Sequence, residues 1–319
     1  MMLRAIRLAL SLQRFELRLL LGATLLVTVA ALALAWQTRV VREEQLACYR
    51  AAPPAVEGSL DSPCPEQDPT LELLNDASAF AKVGVLGTPF VLGLFLGVPI
   101  VAREIEARTA SLAWSLSRSR RRWLLLRAAP VLAVVALASL AAGLAGDVLT
   151  HAAPWFEGSD PGFEDSWSRG PLVAVRGMAV GGIGLAIGAL LGRQLPGLLA
   201  GGLVTIALVA VVTITIDGWM RDAAEPIAVG PEQVISGKIY GSDYRDDATG
   251  EIVSDEELYL ADGEMRTDEY GIPLGMTQVY YMVPGTRYGE FVLRESALFL
   301  VAALLASGVA VAAVSVRRP

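Results

Sequence analysis

The sequence predicts an all-α polytopic membrane protein with six transmembrane helices, and three observations lead to this fold class. The chain of 319 residues is 54% hydrophobic and only 18% charged, whereas soluble domains contain about 25% charged residues. The apolar residues gather in six blocks, each close to the roughly 20 residues that a helix needs to cross a bilayer. The arginines concentrate in the connections on one side of these blocks.

The six blocks are predicted to be helices, because a segment in the hydrocarbon core must satisfy its own backbone hydrogen bonds. They occupy residues 17–36, 78–102, 123–149, 172–192, 195–216 and 296–316. Only Arg193 and Gln194 separate the fourth block from the fifth, which predicts a tight helical hairpin. The first block is longer than the apolar core of a signal peptide, about 7–15 residues, and no clean A-x-A cleavage site is present. We therefore expect it to be a retained span.

The distribution of basic residues predicts that both termini face the cytoplasm, because Lys and Arg in short loops stay on that side. With this orientation the inner segments hold 14 of the 26 Lys and Arg residues, but only 3 of the 33 Asp and Glu residues. The net charge of −7 therefore averages a basic inner face with an acidic outer face. It gives no support to a nucleic-acid partner, and none is expected.

Two segments are expected outside the cell. The loop 37–77 contains Cys48 and Cys64, an even pair for which we expect a disulfide rather than two free thiols. Such a bond would stabilise the fold by roughly 3 kcal/mol, and the loop's Pro and Gly content predicts little other structure. The segment 217–295 alternates Val, Ile and Tyr with polar residues between turn signals, so we expect a small, mostly β extracellular cap.

The run 101–127, VAREIEARTASLAWSLSRSRRRWLLLR, is unusual because it carries seven arginines between two apolar blocks. Glu104 and Glu106 stand near the expected start of a helix, where the helix dipole favours acidic side chains. The second span is therefore predicted to continue into an amphipathic cytoplasmic helix over 101–122, which turns through a basic elbow into the third span. Its apolar face is predicted to contain Ile105, Thr109, Leu112 and Leu116. The elbow, expected at the membrane surface, consists of Arg120, Arg121, Arg122 and Arg127.

Residues 1–16 are predicted to form a second amphipathic helix on the inner face of the membrane. Both surface helices could serve only as lipid anchors, or they could be a docking face for a cytoplasmic partner, and the pattern alone does not decide. Ionisable residues near the span ends are expected to extend their charges towards the membrane surface. These are Arg127, Arg176, Asp147 and Asp217.

The glycines of the fourth block recur at steps of three and four residues from Gly177 to Gly192. Small residues on one stripe let another helix approach closely. Packing within one subunit and a seam between two subunits both remain open.

Motifs of enzymes are scarce in this sequence. His151 is the single histidine, so no two-histidine metal site can be built. No GxSxG motif occurs. The segment 230–238, GPEQVISGK, has the wrong spacing for a phosphate-binding loop, and Ile239 stands where Ser or Thr is required. We expect no enzymatic activity and no ATP binding by this device, so any energy for active transport must come from a partner.

A set of residues around the arginine-rich run carries a family resemblance: Glu104, Thr109, LAWSLSR at 112–118, RRW at 121–123 and Arg127. In these residues the chain resembles the permease subunits of type-2 ATP-binding-cassette (ABC) exporters, most closely an actinobacterial branch. It departs from the family pattern at Arg108, where glycine is common, and at Arg127, where lysine is common.

Two later stretches strengthen the resemblance, which runs from about residue 10 to the C-terminus. RQLPGLLAGGL at 193–203 is similar to the hairpin that enters the fifth span, and VPGTRYGEFVLRESALFL at 283–300 is similar to the approach to the sixth. The residues at matching places in the second stretch are Pro284, Arg287, Tyr288 and Glu295.

The resemblance implies a transport subunit in which this chain pairs with a second copy or a related permease. Two cytoplasmic ABC ATPase subunits would bind below and hold the ATP and Mg, so no cofactor is expected in this chain. The implied cargo is an antibiotic, a peptide or a lipid-like molecule. The residues implied to contact the ATPase are Arg103, Glu104, Glu106, Arg108, Thr109, Leu112, Trp114, Leu116 and Arg118.

Two other functions are weighed against this one. A membrane receptor whose extracellular cap binds a ligand would need no ATPase. An intramembrane enzyme has the least support, because no set of catalytic residues is found.

Overall fold

A computed structural model describes residues 14–51, 69–115, 119–152, 162–228, 237–254 and 273–317. Within these residues, six helical segments are long and apolar enough to cross a membrane, and they contain the six predicted blocks except for Gly192 at the end of the fourth. The helices are α1 (Arg14–Ala51), α2 (Pro69–Gly97), α3 (Pro99–Glu106), α4 (Ala110–Ser115), α5 (Arg120–Ala152), α6 (Gly170–Leu191), α7 (Gln194–Asp222) and α8 (Tyr288–Val316). The second membrane segment consists of α2 together with α3.

The chain divides into two compact units. The first, termed the helical unit, contains Met1–Ala153, Trp167–Val212 and Glu295–Pro319. The second, termed the cap unit, contains Pro154–Ser166 and Thr213–Arg294.

Helix α6 is the central element of the helical unit, and most of its length is buried. Its glycines allow direct contact with the end of α2 and the start of α3. A Cβ atom on Gly188 would lie 2.4 Å from the carbonyl oxygen of Val98, and one on Gly97 would lie 2.6 Å from that of Gly181. The glycine stripe therefore packs within the subunit, as small residues do where two membrane helices meet closely.

The predicted hairpin between the fourth and fifth spans is confirmed. Helix α6 ends at Leu191, and Gly192 follows it in the left-handed region with a φ of 65°. The N–H of Gly192 donates to the carbonyl oxygen of Gly188 at 2.9 Å, so the chain reverses within two residues before α7 begins.

Helices α1, α7 and α8 leave most of their apolar surface exposed, as helices facing lipid would. On α1 the exposed rings of Phe15 and Trp36 are 76% and 71% accessible. Their separation along the helix is about 31 Å at 1.5 Å per residue, close to the roughly 30 Å of a hydrocarbon core.

The expectation of little structure over 37–77 is wrong where the chain is described. Helix α1 continues to Ala51, and α2 begins at Pro69. The residues after Trp36 include Arg, Glu, Gln, Leu and Ala, which have high helix propensity, so the helix does not end where the apolar block ends. Cys48 lies on α1, but Cys64 lies outside the described residues, so the disulfide between them stays a prediction.

The predicted surface helix over 1–16 also falls mostly outside the described residues. Residues 14–16 form the first turn of α1.

The mostly β character of the cap unit is confirmed. Strands β1 (Glu225–Ala228), β2 (Gly237–Asp246), β3 (Ile252–Val253) and β4 (Met276–Pro284) form an antiparallel sheet in the order β1-β4-β2-β3. The sequence signals did not include β1. In the turn after β2, backbone N–H groups of Ala248 and Thr249 donate to Asp246 Oδ1 at 2.7 and 3.0 Å. The backbone hydrogen bonds from Thr249 and Ala248 hold the pKa of Asp246 below its usual value.

The close contact at Gly188 gives a test of the packing around α6. Gly188→Ala should lower the free energy of unfolding by about 1–3 kcal/mol, because the new methyl group would overlap the Val98 backbone. Gly22→Ala is the matched control, since no atom lies within 4 Å of its Cβ position. Its higher helix propensity should leave stability unchanged or raise it by up to about 1 kcal/mol. Unfolding midpoints in mixed detergent measure both, and equal midpoints for the two variants would contradict this packing.

Candidate functional site: the arginine-rich end of the helical unit

The predicted continuous helix over 101–122 is wrong, because the chain breaks between α3 and α4. The N–H of Thr109 donates to the carbonyl oxygen of Glu104 at 3.0 Å, and that of Arg108 donates to Ile105 at 3.1 Å. Arg108 lies in the left-handed region with a φ of 59°. These two bonds and this conformation form a Schellman cap, which terminates a helix.

The cap gives a physical reason for two features of the family resemblance. The spacing of five residues between Glu104 and Thr109 is the spacing of the outer hydrogen bond of the cap. Position 108, where the pattern that this chain resembles has glycine, is the left-handed residue. Glycine adopts this conformation without steric cost, whereas another residue pays about 1–2 kcal/mol.

Glu104 and Glu106 lie in the last turn of α3, not near the start of a helix as predicted. The helix dipole disfavours acidic side chains there, and other helices compensate. Glu104 forms an ion pair with Arg127 of α5. Glu106 Oε2 accepts a hydrogen bond at 3.1 Å from the backbone N–H of Gln194, the first residue of α7, so it caps that helix.

Three charged residues of α3 thus contact three different helices. Arg103 contacts Glu16 of α1 at 3.3 Å, and both side chains are about half exposed. A surface pair of this kind contributes only about 0–1 kcal/mol. The Glu104–Arg127 pair is about four-fifths buried on both sides, so removing one partner should be costly. The short helix α3 is therefore fixed to α1, α5 and α7 at once.

A stack of aromatic and guanidinium groups fixes α4 to the start of α5. Trp114 and Trp123 meet edge to face with ring centroids 6.1 Å apart. Arg120 lies 5.0 Å from the Trp114 ring, and Arg127 lies 4.8 Å from the Trp123 ring. Each cation–π contact contributes about 0.5–2 kcal/mol, and both tryptophans belong to the main core of the helical unit. The segment is packed into the protein and is not simply a helix lying on lipid.

The predicted apolar face of this segment is wrong, because the chain turns at Arg108. The buried residues of α4 include Ala110 and Trp114, whereas Leu112 is 63% exposed and Thr109 is also exposed. Leu116 and Arg118 lie outside the described residues.

Of the four arginines of the predicted elbow, Arg127 is the partner of Glu104 described above, and the other three differ in exposure. Arg121 and Arg122 are exposed, and their contact with lipid head groups stays a prediction. Arg120 instead donates to the carbonyl oxygen of Arg317 at 2.5 Å, at the end of α8. Arg317 in turn donates to the carbonyl oxygen of Ala189 at 2.7 Å, in the last turn of α6. Both arginines satisfy carbonyl groups at helix C-termini, which have no partners within their own helices.

Of the four residues that carry the family resemblance near the sixth span, three lie in the cap unit and Glu295 lies in the helical unit. In the cap unit, Pro284 ends β4, and Arg287 donates to the carbonyl oxygen of Ala223 at 3.3 Å. The ring of Tyr288 meets that of Phe163 edge to face at 5.7 Å.

In the helical unit, Glu295 forms an ion pair with Arg176 of α6, and both side chains are about nine-tenths buried. The expectation that Arg127 and Arg176 extend to the membrane surface is therefore wrong. Both guanidinium groups are held inside the helical unit by carboxylates of other helices. The sequence showed a charged residue in an apolar block, but it did not indicate which residue would pair with that charge.

Comparison with known proteins gives the family. The family model described as ABC-2 membrane transporter related matches residues 19–221, which include the arginine-rich segment and five of the six spans. The chain belongs to this family. No curated protein and no solved structure gives a match.

Membership of the ABC-2 membrane transporter related family, together with six apolar helices among the described residues, identifies a multi-pass cell membrane protein. The family indicates a transport subunit rather than an enzyme, and such permeases generally work with an ATPase subunit. The finer placement in an actinobacterial branch stays a prediction.

The buried Glu104–Arg127 pair gives a test of the connection between α3 and α5. Glu104→Gln alone should lower the free energy of unfolding by about 2–4 kcal/mol, because it leaves a buried guanidinium without a counter-charge. Arg127→Glu alone should be at least as harmful, since it places two carboxyl groups together. Exchanging both residues, Glu104→Arg with Arg127→Glu, should recover at least half of the loss. The free energy of unfolding is also measured for Glu104→Arg alone, and a double exchange whose loss equals the sum of the Glu104→Arg and Arg127→Glu losses would show that the pair is not coupled.

Proposed function

We propose that this chain is the permease subunit of an ATP-binding-cassette exporter, and that its arginine-rich end receives the force of a separate ATPase in the cytoplasm. The observation that carries the proposal is the attachment of α3 to α1, α5 and α7 through three neighbouring charged residues. A push on this short helix would reach half of the membrane helices directly.

The positive-inside rule supports the cytoplasmic placement of this end. Arginines lie in five segments at this end of the helical unit: the N-terminal end of α1, the α3–α4 segment, the start of α5, the hairpin at Arg193 and the end of α8. Contacts from Glu16, Gln194 and Arg317 bring these helix ends together at one end of the helical unit. Basic residues in such short connections remain on the cytoplasmic side.

The α3–α4 segment has a surface suited to docking. Arg103, Arg108, Thr109 and Leu112 are exposed, while Ala110 and Trp114 of the same segment are buried in the core. The exposed group combines an apolar anchor with basic side chains, which would complement an acidic groove on an ATPase. The buried group would carry any displacement of the segment into α5.

In this mechanism the ATPase subunits bind and hydrolyse ATP with Mg, and the permease changes shape in response. Closure of two ATPase subunits on ATP would favour one of two arrangements of the α3–α4 segment. The Trp114–Trp123 contact and the ion pair at Glu104 would move α5 with it. The exposed apolar faces of α1, α7 and α8 are available to lipid and to a second permease, either another copy or a related chain.

The proposed direction of transport and the proposed cargo rest on the resemblance to exporters. That resemblance favours an antibiotic, a peptide or a lipid-like molecule. The family does not favour the alternative of a receptor with a ligand-binding cap.

The exposed side chain of Leu112 allows a test that separates docking from folding. Leu112→Asp should reduce, by roughly 10-fold or more, the ATP hydrolysis that co-purifies with the tagged chain from gently solubilised membranes. The matched control is Leu73→Asp, because Leu73 is 71% exposed on α2. It lies in the segment 37–77 predicted outside the cell. The control should retain the co-purifying hydrolysis, and both variants should accumulate in the membrane.

Absence of any ATP-hydrolysing subunit from the wild-type preparation would overturn the exporter proposal. Equal losses with Leu112→Asp and Leu73→Asp would overturn the docking surface.

A further inference from the structure

The buried ion pair between Arg176 and Glu295 has no role in the site described above. Arg176 is the seventh residue of α6, about 9 Å along the axis from the helix start. Glu295 is at a similar depth from the start of α8. Both side chains are about nine-tenths buried within the helical unit. Charged residues at such positions are rare and costly, so they mark functional sites by default.

The surroundings of Arg176 hold it in place on α6. One terminal nitrogen donates at 2.6 Å to the carbonyl oxygen of Trp167, which precedes α6. On the α8 side, the guanidinium lies 5.5 Å from the buried ring of Phe299. The Trp167–Gly170 stretch itself packs tightly on α5, since a Cβ atom on Gly146 would lie 2.2 Å from the carbonyl oxygen of Ser168. Arg176 thus belongs to the rigid part of the helical unit, and Glu295 comes from the more peripheral α8.

The pair is a poor choice for stability alone. Two apolar side chains of similar volume would stabilise a buried contact as well or better, because both charges lose their hydration. The Nε atom of Arg176 is buried and has no hydrogen-bond partner among the described residues. The guanidinium is therefore not fully satisfied in this arrangement. An ion pair can instead be a contact that two conformations make differently, as interface salt bridges are when packed elements rearrange.

Helix α8 is attached to α6 in four ways, one of which is the contact of the Phe299 ring of α8 with the Arg176 guanidinium. Glu295 binds Arg176 towards one end, and Arg317 binds the Ala189 carbonyl at the other. Between them, a Cβ atom on Gly182 would lie 3.1 Å from the carbonyl oxygen of Ala303. Most of the remaining surface of α8 is exposed. Breaking the Arg176–Glu295 pair would therefore loosen one end of α8, where the buried Phe299 ring is a remaining contact, while Arg317 kept the other end in place.

We propose that the Arg176–Glu295 ion pair is a latch that holds α8 against α6, and that it must open once in each transport cycle. This inference rests on the proposed function, because the latch would open in response to the ATPase. It makes Arg176 and Glu295 gating residues for transport, at the end of the helical unit opposite the arginine-rich end.

A reversible covalent bond tests whether the latch must open. Arg176→Cys and Glu295→Cys are combined in the full chain with Cys48→Ser and Cys64→Ser, purified with the ATPase and placed in lipid nanodiscs. A reducible bifunctional thiol reagent, whose spacer replaces the length of the two side chains, should link the cysteines and lower ATP hydrolysis by at least roughly 10-fold, and a reductant should restore it. The two single-cysteine variants, treated with the same reagent, are the controls, because they lose the ion pair without gaining the bridge. A cross-linked protein that hydrolyses ATP as fast as the reduced protein would overturn the latch.

A second measurement leaves the ion pair intact, and it decides the question if the double-cysteine protein does not accumulate. Spin labels at Pro171→Cys on α6 and Ala297→Cys on α8, both exposed positions, report the separation of the two helices. Trapping the complex with ATP and vanadate should change that separation by roughly 5 Å, the scale of a helix shift of one turn. An unchanged separation would overturn the latch.

The two possible failures can be told apart. Absence of the ATPase from the wild-type chain contradicts the exporter proposal, and the latch fails with it. If the ATPase is present but its activity does not change on cross-linking, only the latch is overturned. The same holds if the distance between the spin labels does not change on trapping with ATP and vanadate.

Discussion

The ion pair between Glu104 and Arg127 holds the break between the second and third spans against the rest of the helical unit. The chain must leave its helical conformation at Arg108, and a left-handed arginine can be held there only if the surrounding contacts are strong. The ion pair supplies the attachment of α3, while the contact between Trp114 and Trp123 supplies that of α4. Together they make a rigid corner from a segment that is rich in like charges.

The same corner organises the ends of the other helices. Glu106 caps α7, Arg120 reaches the last carbonyl groups of α8, and Arg317 reaches those of α6. Each contact satisfies backbone groups that a helix leaves free at its terminus, and each joins a different pair of helices. The arginines therefore have a structural use besides the membrane-surface attraction that their number indicates.

The sequence predicts the parts of this structure that depend on composition and local pattern. Six spans follow from apolar length, the hairpin between the fourth and fifth spans follows from the two-residue gap, and the β cap follows from alternation in 217–295. The break at Arg108 was missed, because arginine, unlike glycine, gives no sign of a left-handed residue. The partners of Glu106 and Arg176 were missed because each contact joins residues about 90 or more positions apart. The periodicity of residues along a helix or strand gives no information about contacts between residues so far apart in the sequence.

The account depends on the α3–α4 segment lying in the cytoplasm, where an ATPase can reach it. The most direct test is the accessibility of Ser115→Cys, an exposed position at the end of α4, in a chain that also carries Cys48→Ser and Cys64→Ser. A membrane-impermeant thiol reagent should label this cysteine in inside-out vesicles and leave it unlabelled in intact cells. Labelling in intact cells would place the segment outside, away from any source of ATP, and would contradict the account.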